Sequence, residues 1–315
     1  MTTGLPEVGK RRSPDATASH SVAWPIALGV AAVAAVQATR PRQWPKNLLV
    51  FAAPLAGASL GRAGGFGYAL VAFAAFTAAS AAVYLINDVM DAERDRLHPV
   101  KRLRPIASGR LPRPAAIVLA IAGLCTALLA SLAIGEPRLA GIIGAYVTMS
   151  LLYSLGLKHV PGAELLVVAL GFVLRALAGA VATHVPPSAW FLAVCSLGAL
   201  MVAIGKRYTE LTVLGTEAAA HRPVMRWYRP WLLRAGQRVA MSIMLVAYVL
   251  WALAEPQAWM RGWHLASALA LAAALLRFDR LTSLSDGRPV EDLIARDPTM
   301  ICCELAWLTM FTIGL

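Results

Sequence analysis

Long apolar runs alternate with short basic loops along this chain. A helix needs roughly 17 to 25 mostly apolar residues to cross a bilayer, and several runs reach that length or are somewhat shorter but dense in Gly and Ala. We predict nine membrane-spanning helices and therefore an all-α integral membrane bundle. They cover approximately residues 47–60, 65–87, 115–134, 139–157, 163–182, 190–205, 239–254, 263–276 and 300–315.

Composition and charge agree with this interpretation. Of the 315 residues, 58% are hydrophobic and 15% are charged, against roughly a quarter charged in soluble domains. With nine spans and a cytoplasmic N-terminus, 25 of the 29 Lys and Arg residues lie on one side of the membrane. Cytoplasmic loops carry such an excess, so we predict a multi-pass plasma membrane protein with its basic loops in the cytoplasm.

The net charge of +12 therefore lies mostly on one membrane face. Lipid phosphates account for basic loops in general, and an anionic substrate is the more specific explanation. We predict the lipid bilayer as a partner and no nucleic acid, and a homo-oligomer is left open.

The domain prediction has three parts. Residues 1–21 are polar and predicted to be disordered, residues 22–39 form an interfacial helix, and residues 40–315 form a single transmembrane domain with cytoplasmic active-site loops. Cleavage of 22–38 as a signal peptide would export the basic segment after it, against the charge asymmetry. A tenth span over 22–38 is the remaining alternative.

Four polar side chains follow the second predicted span on one helical arc. With Asn87 at zero, a helix places Asp91 near about 40°, Asp95 near about 80° and Asp88 near about 100°. Carboxylates crowded on one face repel each other unless a cation lies among them. Oxygen ligands suit Mg²⁺, which often also binds substrate phosphates. The sequence therefore predicts a magnesium site on Asp88, Asp91 and Asp95.

Basic side chains flank this acidic cluster in the sequence. Lys101, Arg102 and Arg104 follow within ten residues of Asp95, and Arg can grip a diphosphate with two parallel hydrogen bonds. We expect this loop to fold over a metal-bound diphosphate. The chain leads into the first span through Arg40, Lys46 and Asn47, and we predict that these residues reach the same pocket. Snorkelling and helix initiation explain Lys46 and Asn47 equally well.

Further candidates lie in and after the later spans. Glu164 and Arg175 share a helical face but lie about 16 Å apart, so each needs another partner, either protein or substrate. Lys206 could form an ordinary helical pair with Glu210 or bind phosphate. The cysteines have no metal-ligand spacing and are predicted to be buried free thiols. The predicted substrate-binding residues of this part of the chain are Tyr153, Lys158, Glu164, Arg175, Lys206 and Arg207.

The motif Asn-Asp-x-x-Asp-x-x-x-Asp, matched by residues 87–95, resembles the signature of the UbiA superfamily of intramembrane prenyltransferases. The resemblance covers residues 40–315 and implies a nine-helix bundle. Most members carry a second Asp-rich motif after the fourth helix, where this chain has Tyr153, Lys158 and Glu164 instead. Arg-Pro-Arg-Gln-Trp-x-Lys-Asn, Tyr-Ser-x-x-Leu-Lys-His and Gly-Lys-Arg-Tyr are similar to the decaprenyl-phosphate phosphoribosyltransferase branch.

That resemblance implies Mg²⁺-dependent transfer of 5-phosphoribosyl from phosphoribosyl pyrophosphate to decaprenyl (polyprenyl) phosphate, for cell-wall arabinan synthesis. The three aspartates and Lys46 would then be catalytic. The acceptor phosphate has a second pKa of about 6, so the reaction needs no dedicated base. The expected substrate-binding set also includes Arg40, Asn47, Asn87, Lys101, Arg102 and Arg104. A prenyltransferase that uses a prenyl diphosphate and an aromatic or other acceptor is the first alternative, and a transporter is the second.

Overall fold

A computed structural model of the chain describes residue 29, residues 31–284 and residues 290–315. The predicted disordered tail, residues 1–21, lies outside the described residues. Residues 22–28 of the predicted interfacial helix lie outside them as well. Residues 31–38 are helical, and Ala34 and Ala38 pack against Ala82 and Leu85. This contact holds the segment against the bundle immediately before Arg40.

The described residues contain helices joined by turns and loops and no strand, which confirms the all-α fold class. The eight longest helices are α1 (Gly65–Met90), α2 (Arg113–Ala133), α3 (Pro137–Leu155), α4 (Ala163–Ala182), α5 (Ala189–Leu214), α6 (Pro230–Leu253), α7 (Ala258–Ser283) and α8 (Pro298–Ile313). In the described part of the chain, six helices, α1 to α6, are long and apolar enough to cross a bilayer, and α8 is apolar but shorter. The count of nine spans and the cytoplasmic N-terminus stay predictions.

The first predicted span differs from the structure. An entry segment takes its place, consisting of a 3-10 helix, Pro41–Phe51, followed by a short α-helix, Ala52–Ala56. Pro45 lies inside the 3-10 helix and lacks the N–H that an α-helical interior requires. Pro54 lies inside the predicted span and lacks the same N–H, so a continuous α-helix over 47–60 is replaced by a shorter, irregular segment.

The entry segment packs against α4 at a glycine. A Cβ atom built on Gly179 would lie 1.6 Å from the carbonyl oxygen of Val50, so only glycine permits this approach of the two backbones. Val50 is fully buried and belongs to a core cluster with Phe76, Tyr146 and Leu174. The same core thus joins the entry segment, α1, α3 and α4.

Ion pairs connect several loops at the end of the bundle that carries the basic residues. Arg234 of α6 contacts Asp279 of α7 at 3.0 Å, and Arg277 contacts Asp297 at 2.6 Å. The far end has a different polar contact, in which His184 lies 3.0 Å from Glu136. The acidic cluster at the end of α1 lies at the basic end.

The cysteines are free, as predicted, but the prediction that they are buried was wrong for two of them. Cys125 and Cys302 are exposed on the surface of the chain, and Cys195 and Cys303 are half-buried. Apolar helix faces that would meet lipid are exposed when the chain is considered alone, which explains why an apolar context did not predict burial.

Candidate active site

The acidic cluster spans a break in the helix. α1 ends at Met90, Asp91 has φ −90° and ψ 0°, and a short helix, Ala92–Arg96, follows. Asp88 and Asp95 are each 3% exposed, whereas the side chain of Asp91 is 36% exposed and lies 3.5 Å from Arg94. The structure therefore separates Asp91 from the buried pair that the helical arc predicted it would join.

Two arginines neutralise the buried acids. Arg40 Nη2 donates to Asp88 Oδ1 at 2.5 Å, and Arg104 Nη1 donates to the same oxygen at 3.1 Å. Arg104 Nη1 also donates to Asp95 Oδ2 at 2.6 Å. The guanidinium of Arg104 thus bridges Asp88 and Asp95. Unpaired buried carboxylates are costly, so these contacts account for the burial of both acids.

The loop after the cluster is folded so that Arg104 faces inwards. Ile106 and Leu111 are buried in the core cluster that includes Leu85. Arg96 donates to the carbonyl of Ala107, and Arg110 donates to the carbonyl of Leu103. Apolar anchors and side-chain to backbone hydrogen bonds therefore fix the loop on both sides of Arg104.

Arg40 is positioned by the backbone before the entry segment. Its φ of 55° lies in the left-handed region, which is uncommon for a residue other than glycine. The guanidinium lies over the ring of Tyr84, 4.8 Å from its centroid, a distance typical of a cation–π contact. Backbone strain of this kind persists where surrounding contacts over-determine it, and here those contacts are with Asp88 and Tyr84.

A second acidic contact lies at the edge of the cluster. Glu93 is exposed and pairs with Arg113 and with Arg96. The hydrogen bond from Arg113 and then the charge of Arg96 lower the pKa of Glu93. Glu93 therefore has other partners than the buried acids, which pair with Arg40 and Arg104.

The described residues contain no group of three His, Cys, Asp or Glu side chains arranged to hold a metal. A cation nevertheless lies between Asp88 and Asp95, namely the guanidinium of Arg104. The neighbouring Asn87 Oδ1 is buried and has no hydrogen-bond partner. Two buried carboxylates around a cation, with an orphaned amide oxygen beside them, are donors that fit a hard divalent ion such as Mg²⁺.

Asn47 and Arg175 belong to one buried network. Arg175 Nε donates to Asn47 Oδ1 at 2.8 Å, and its Nη2 donates to Tyr146 OH at 3.2 Å. Asn47 Nδ2 donates in turn to Thr77 and Ser80 of α1. The partners seen for Arg175 include ring faces and neutral oxygens but no carboxylate within the described chain, and the network ties α4 and α1 to the entry segment.

Glu164 is fully buried and pairs with another helix. Arg207 of α5 donates to both of its oxygens, at 2.8 and 2.7 Å. Tyr228 OH donates to Glu164 and accepts from the backbone N–H of Gly162. Burial raises the pKa of Tyr228, against the lowering effect of the Gly162 hydrogen bond. Glu164 and Arg175 thus have separate partners, as their separation along α4 requires.

The ion pair extends towards the loop after α5. Arg207 Nη1 also contacts Glu210 at 2.7 Å, and Arg222 lies 3.6 Å from Glu210 and donates to Tyr153 OH at 3.1 Å. The sequence had suggested Lys206 as a partner of Glu210. The structure adds Arg207 and Arg222 as its partners.

Two of the predicted basic residues, Lys101 and Arg102, show no contact with the acids in the described part of the chain. Both residues are exposed. Lys158 and Lys206 are half-buried at the ends of α3 and α5. Of the three basic residues predicted to cover the cluster, Arg104 is the one in contact with it.

A largely apolar cavity of about 690 Å³ lies between the entry segment and helices α5, α6 and α8. Lys46 contributes a cationic side chain to its wall and Glu304 of α8 contributes a carboxylate. The aromatic side chains that line it are Phe51, Trp190, Phe191, Tyr248, Trp251, Trp307 and Phe311. The entry segment therefore brings Lys46 to the cavity, and the residue immediately before it, Arg40, contacts the acids.

Several residues of these networks were missed from the sequence. Tyr146 lies inside a predicted span and has no local signal that it contacts Arg175. Arg222 and Tyr228 lie in a basic loop that fits an ordinary membrane interface. Partners separated by 29, 69 and 64 residues are found only once the helices are packed.

Known proteins resemble this chain in sequence. A model of the UbiA prenyltransferase family matches residues 48–292. Decaprenyl-phosphate phosphoribosyltransferase of Mycobacterium tuberculosis is 39% identical over 291 residues, which is 89% of this chain and 92% of that protein. The protein of the same description from Corynebacterium glutamicum is 36% identical over 281 residues, covering 87% and 84% of the two chains.

Solved structures show the same fold at low sequence identity. A UbiA homologue from Archaeoglobus fulgidus bound to GPP and Mg²⁺ has a TM-score of 0.67 and 18% identity, covering 89% of this chain and 98% of its own. A structure described as digeranylgeranylglyceryl phosphate synthase also has a TM-score of 0.67, with 15% identity and 90% and 98% coverage. Together with the family match over 48–292, these likenesses confirm the superfamily resemblance, and the chain belongs to the UbiA prenyltransferase family.

Proposed function

We propose that this chain transfers the 5-phosphoribosyl group of phosphoribosyl pyrophosphate to decaprenyl phosphate or another polyprenyl phosphate and releases pyrophosphate. The acceptor phosphate oxygen forms a bond to ribosyl C1 as the bond from C1 to pyrophosphate breaks. The product would supply cell-wall arabinan synthesis. Relatives described as decaprenyl-phosphate phosphoribosyltransferases, 36–39% identical over most of the chain, support this reaction.

The proposal rests on one observation: the entry segment links two different environments, the buried acids and the apolar cavity. Immediately before this segment, Arg40 contacts the buried acid Asp88, and six residues later Lys46 lines the apolar cavity. A polyprenyl phosphate has an apolar tail and an anionic head, and the cavity and Lys46 match these two parts. The donor diphosphate would lie beside the acids, next to that head.

The arginines at the acids are suited to a leaving pyrophosphate. Arg40 and Arg104 have side chains about one-third exposed, at 32% and 30%, above acids that are almost fully buried. Each guanidinium can form two parallel hydrogen bonds to phosphate oxygens. Charge stabilisation of the leaving group in a fixed, partly desolvated site is a large contribution to catalysis.

Magnesium is the proposed cofactor. Asp88 and Asp95 would hold it, with Asn87 beside them and Asp91 as a further ligand. When bound, Mg²⁺ would neutralise charge on the leaving pyrophosphate as a Lewis acid. The Archaeoglobus homologue of the same fold is bound to Mg²⁺, which supports the use of a divalent metal.

The acceptor needs little activation by the protein. A phosphate with a second pKa of about 6 is mostly a dianion near pH 7, so its oxygen attacks without a base. Lys46 would orient that phosphate, and the cavity of about 690 Å³ would hold the first isoprenoid units away from water. The bilayer would accommodate the remainder of the tail.

Glu164 bears on the choice of donor. This residue stands where most UbiA proteins have a second Asp-rich motif, and both of its oxygens are taken by Arg207. A carboxylate in a buried ion pair is a poor second metal ligand, because freeing it leaves Arg207 unpaired. This favours phosphoribosyl pyrophosphate over a prenyl diphosphate that requires two metal sites.

The site would face the cytoplasm of the plasma membrane, where the basic loops are predicted to lie. Tyr153, Lys158, Lys206 and the Glu164–Arg207 pair lie at the basic end of the bundle, and we propose that they surround the 5-phosphate of the donor. The hydrogen bonds from Arg207 to Glu164 and from Arg222 to Tyr153 would keep this region in place.

An assay with two donors tests the proposal. Purified protein in Mg²⁺ is given decaprenyl phosphate with either labelled phosphoribosyl pyrophosphate or labelled geranyl diphosphate. We expect a phosphoribosylated lipid with the first and no product with the second. Product from geranyl diphosphate and an aromatic acceptor alone would instead establish a prenyltransferase.

A further inference from the structure

Arg104 forms the bridge in the acidic pair. Its Nη1 lies 3.1 Å from Asp88 Oδ1 and 2.6 Å from Asp95 Oδ2. Arg40 Nη2 lies 2.5 Å from the same Asp88 oxygen. The oxygens that would bind a metal are therefore already hydrogen-bonded to the guanidinium groups.

The charges of the acids and of the two arginines balance each other. Two carboxylates, each 3% exposed, are matched by two guanidinium groups. A divalent cation placed on the carboxylates alone would leave an excess of two positive charges within a few ångströms. A diphosphate added with the metal would remove that excess, since it can accept hydrogen bonds from both arginines.

The side chains of Arg40 and Arg104 differ in their freedom to rotate, because the backbone and the contacts around them differ. Arg40 has a left-handed backbone and is stacked on Tyr84. Arg104 follows a single 3-10 turn, Lys101–Leu103, and has an extended backbone. Its side chain is 30% exposed and contacts both acids through Nη1, so rotation about its side-chain bonds can release Asp95 without moving a helix.

We propose that Arg104, with Arg40, holds Asp88 and Asp95 in the metal-free enzyme and passes to the diphosphate when metal and donor bind together. The arginines then oppose binding of the metal alone and favour binding of the metal with diphosphate. The two ligands are coupled, and by linkage each raises the affinity for the other by the same factor. This proposal rests on the proposed function, which supplies both ligands.

Manganese binding tests the exchange without measuring turnover. Full-length protein in nanodiscs is titrated with Mn²⁺ with and without pyrophosphate. Free Mn²⁺ is followed by electron paramagnetic resonance, and protein-free titrations correct for the complex that Mn²⁺ forms with pyrophosphate in solution. We expect pyrophosphate to tighten Mn²⁺ binding by about tenfold or more, within the usual range of coupling between sites. In Arg104→Gln, Mn²⁺ alone should bind several-fold more tightly, and the effect of pyrophosphate should shrink.

Three further variants complete the design. Arg238→Gln is the matched control, because Arg238 forms an exposed pair with Asp279 away from the acidic cluster, and it should leave the coupling factor unchanged. Arg104→Lys keeps the charge without the fork geometry and should be intermediate. Asp88→Asn should abolish Mn²⁺ binding in both conditions. Thermal unfolding of each variant in the same nanodiscs reports on folding.

The outcomes separate the two proposals. If the wild-type protein binds Mn²⁺ through Asp88 but Arg104→Gln weakens or does not alter binding of Mn²⁺ alone, the exchange is wrong and the metal site stands. If the wild-type protein binds no Mn²⁺ even with pyrophosphate, both the exchange and the metal-dependent function are overturned.

Discussion

At the scale of single residues, Asp88 has the most partners of the acidic cluster. It is buried, and one of its oxygens accepts hydrogen bonds from both Arg40 and Arg104. Asp91, three residues later, is far more exposed and has Arg94 as its partner. The structure therefore divides three aspartates that look equivalent in the sequence motif.

Asp88→Asn should lower phosphoribosyl transfer by at least about 100-fold, because charge stabilisation of a leaving group is typically worth that much. The rate is measured with saturating donor and acceptor. Glu93→Gln is the control, since Glu93 is exposed and pairs with Arg96 and Arg113 outside the acidic pair. Equal rates for both variants would remove Asp88 from the mechanism.

The environment of Asp297 clearly changes the pKa of its carboxyl group. Hydrogen bonds from Arg277, and then from the backbone of Met300 at the start of α8, lower the pKa of Asp297 from 3.8 to about 2. A lowered folded-state pKa stabilises the protein above the unfolded value, and that contribution is lost as the pH falls towards the folded value.

Asp297→Asn should therefore be less stable than wild type by a constant amount above about pH 4. The difference should shrink between pH 3.8 and about 2. Thermal unfolding in detergent over this pH range measures it, and Asn retains the helix cap. A difference that grows on acidification would contradict the assigned pKa.

At the scale of elements, helix prediction succeeded where apolar length decides the structure. The predicted span 163–182 coincides with α4, Ala163–Ala182. α5 and α6 extend beyond their predicted spans, because a helix continues past the apolar core into polar residues. The entry segment departs from its predicted span, since Pro45 precedes a short apolar run and Pro54 interrupts it.

Gly179→Ala should destabilise the protein, because its new methyl group would overlap the carbonyl of Val50 and displace the entry segment. Overpacking typically costs about 1–3 kcal/mol, occasionally more. Thermal unfolding of the purified variant measures the loss. Gly144→Ala on α3 is the control, since a Cβ there has nothing within 4 Å. Unchanged stability in Gly179→Ala would mean that the two backbones are not in close contact.

The candidate site was predictable in its chemistry but not in its pairings. The sequence placed acids beside basic residues, and the structure selects Arg40 and Arg104 from that group. Which basic residue turns inwards depends on the burial of Ile106 and Leu111, a tertiary contact. The break at Asp91 likewise has no local signal such as Pro or Gly.

At the scale of the whole molecule, charged residues are distributed unequally between the two ends of the bundle. The acidic cluster, the Glu164–Arg207 pair and the Arg277–Asp297 pair lie at the basic end of the bundle. The opposite end has Arg62, Arg138 and Arg261. From the usual distribution of Lys and Arg we predict that the basic end faces the cytoplasm.

Cysteine labelling tests that orientation. In a background without Cys125, Cys195, Cys302 and Cys303, Arg62→Cys should react with a membrane-impermeant maleimide in intact cells. Arg94→Cys should react only after the membrane is opened. Both native side chains are exposed, so access depends on the side of the membrane. The reverse labelling pattern would place the site outside the cytoplasm.

The most direct test of the central claim is transfer from radiolabelled phosphoribosyl pyrophosphate to decaprenyl phosphate by the purified chain in Mg²⁺. The measured quantity is label in the lipid fraction together with released pyrophosphate. We predict equal amounts of both, no label with Asp88→Asn, and no label after removal of the metal by a chelator. Absence of labelled lipid from the active, folded wild-type protein, with product formed from a prenyl diphosphate instead, would contradict the account.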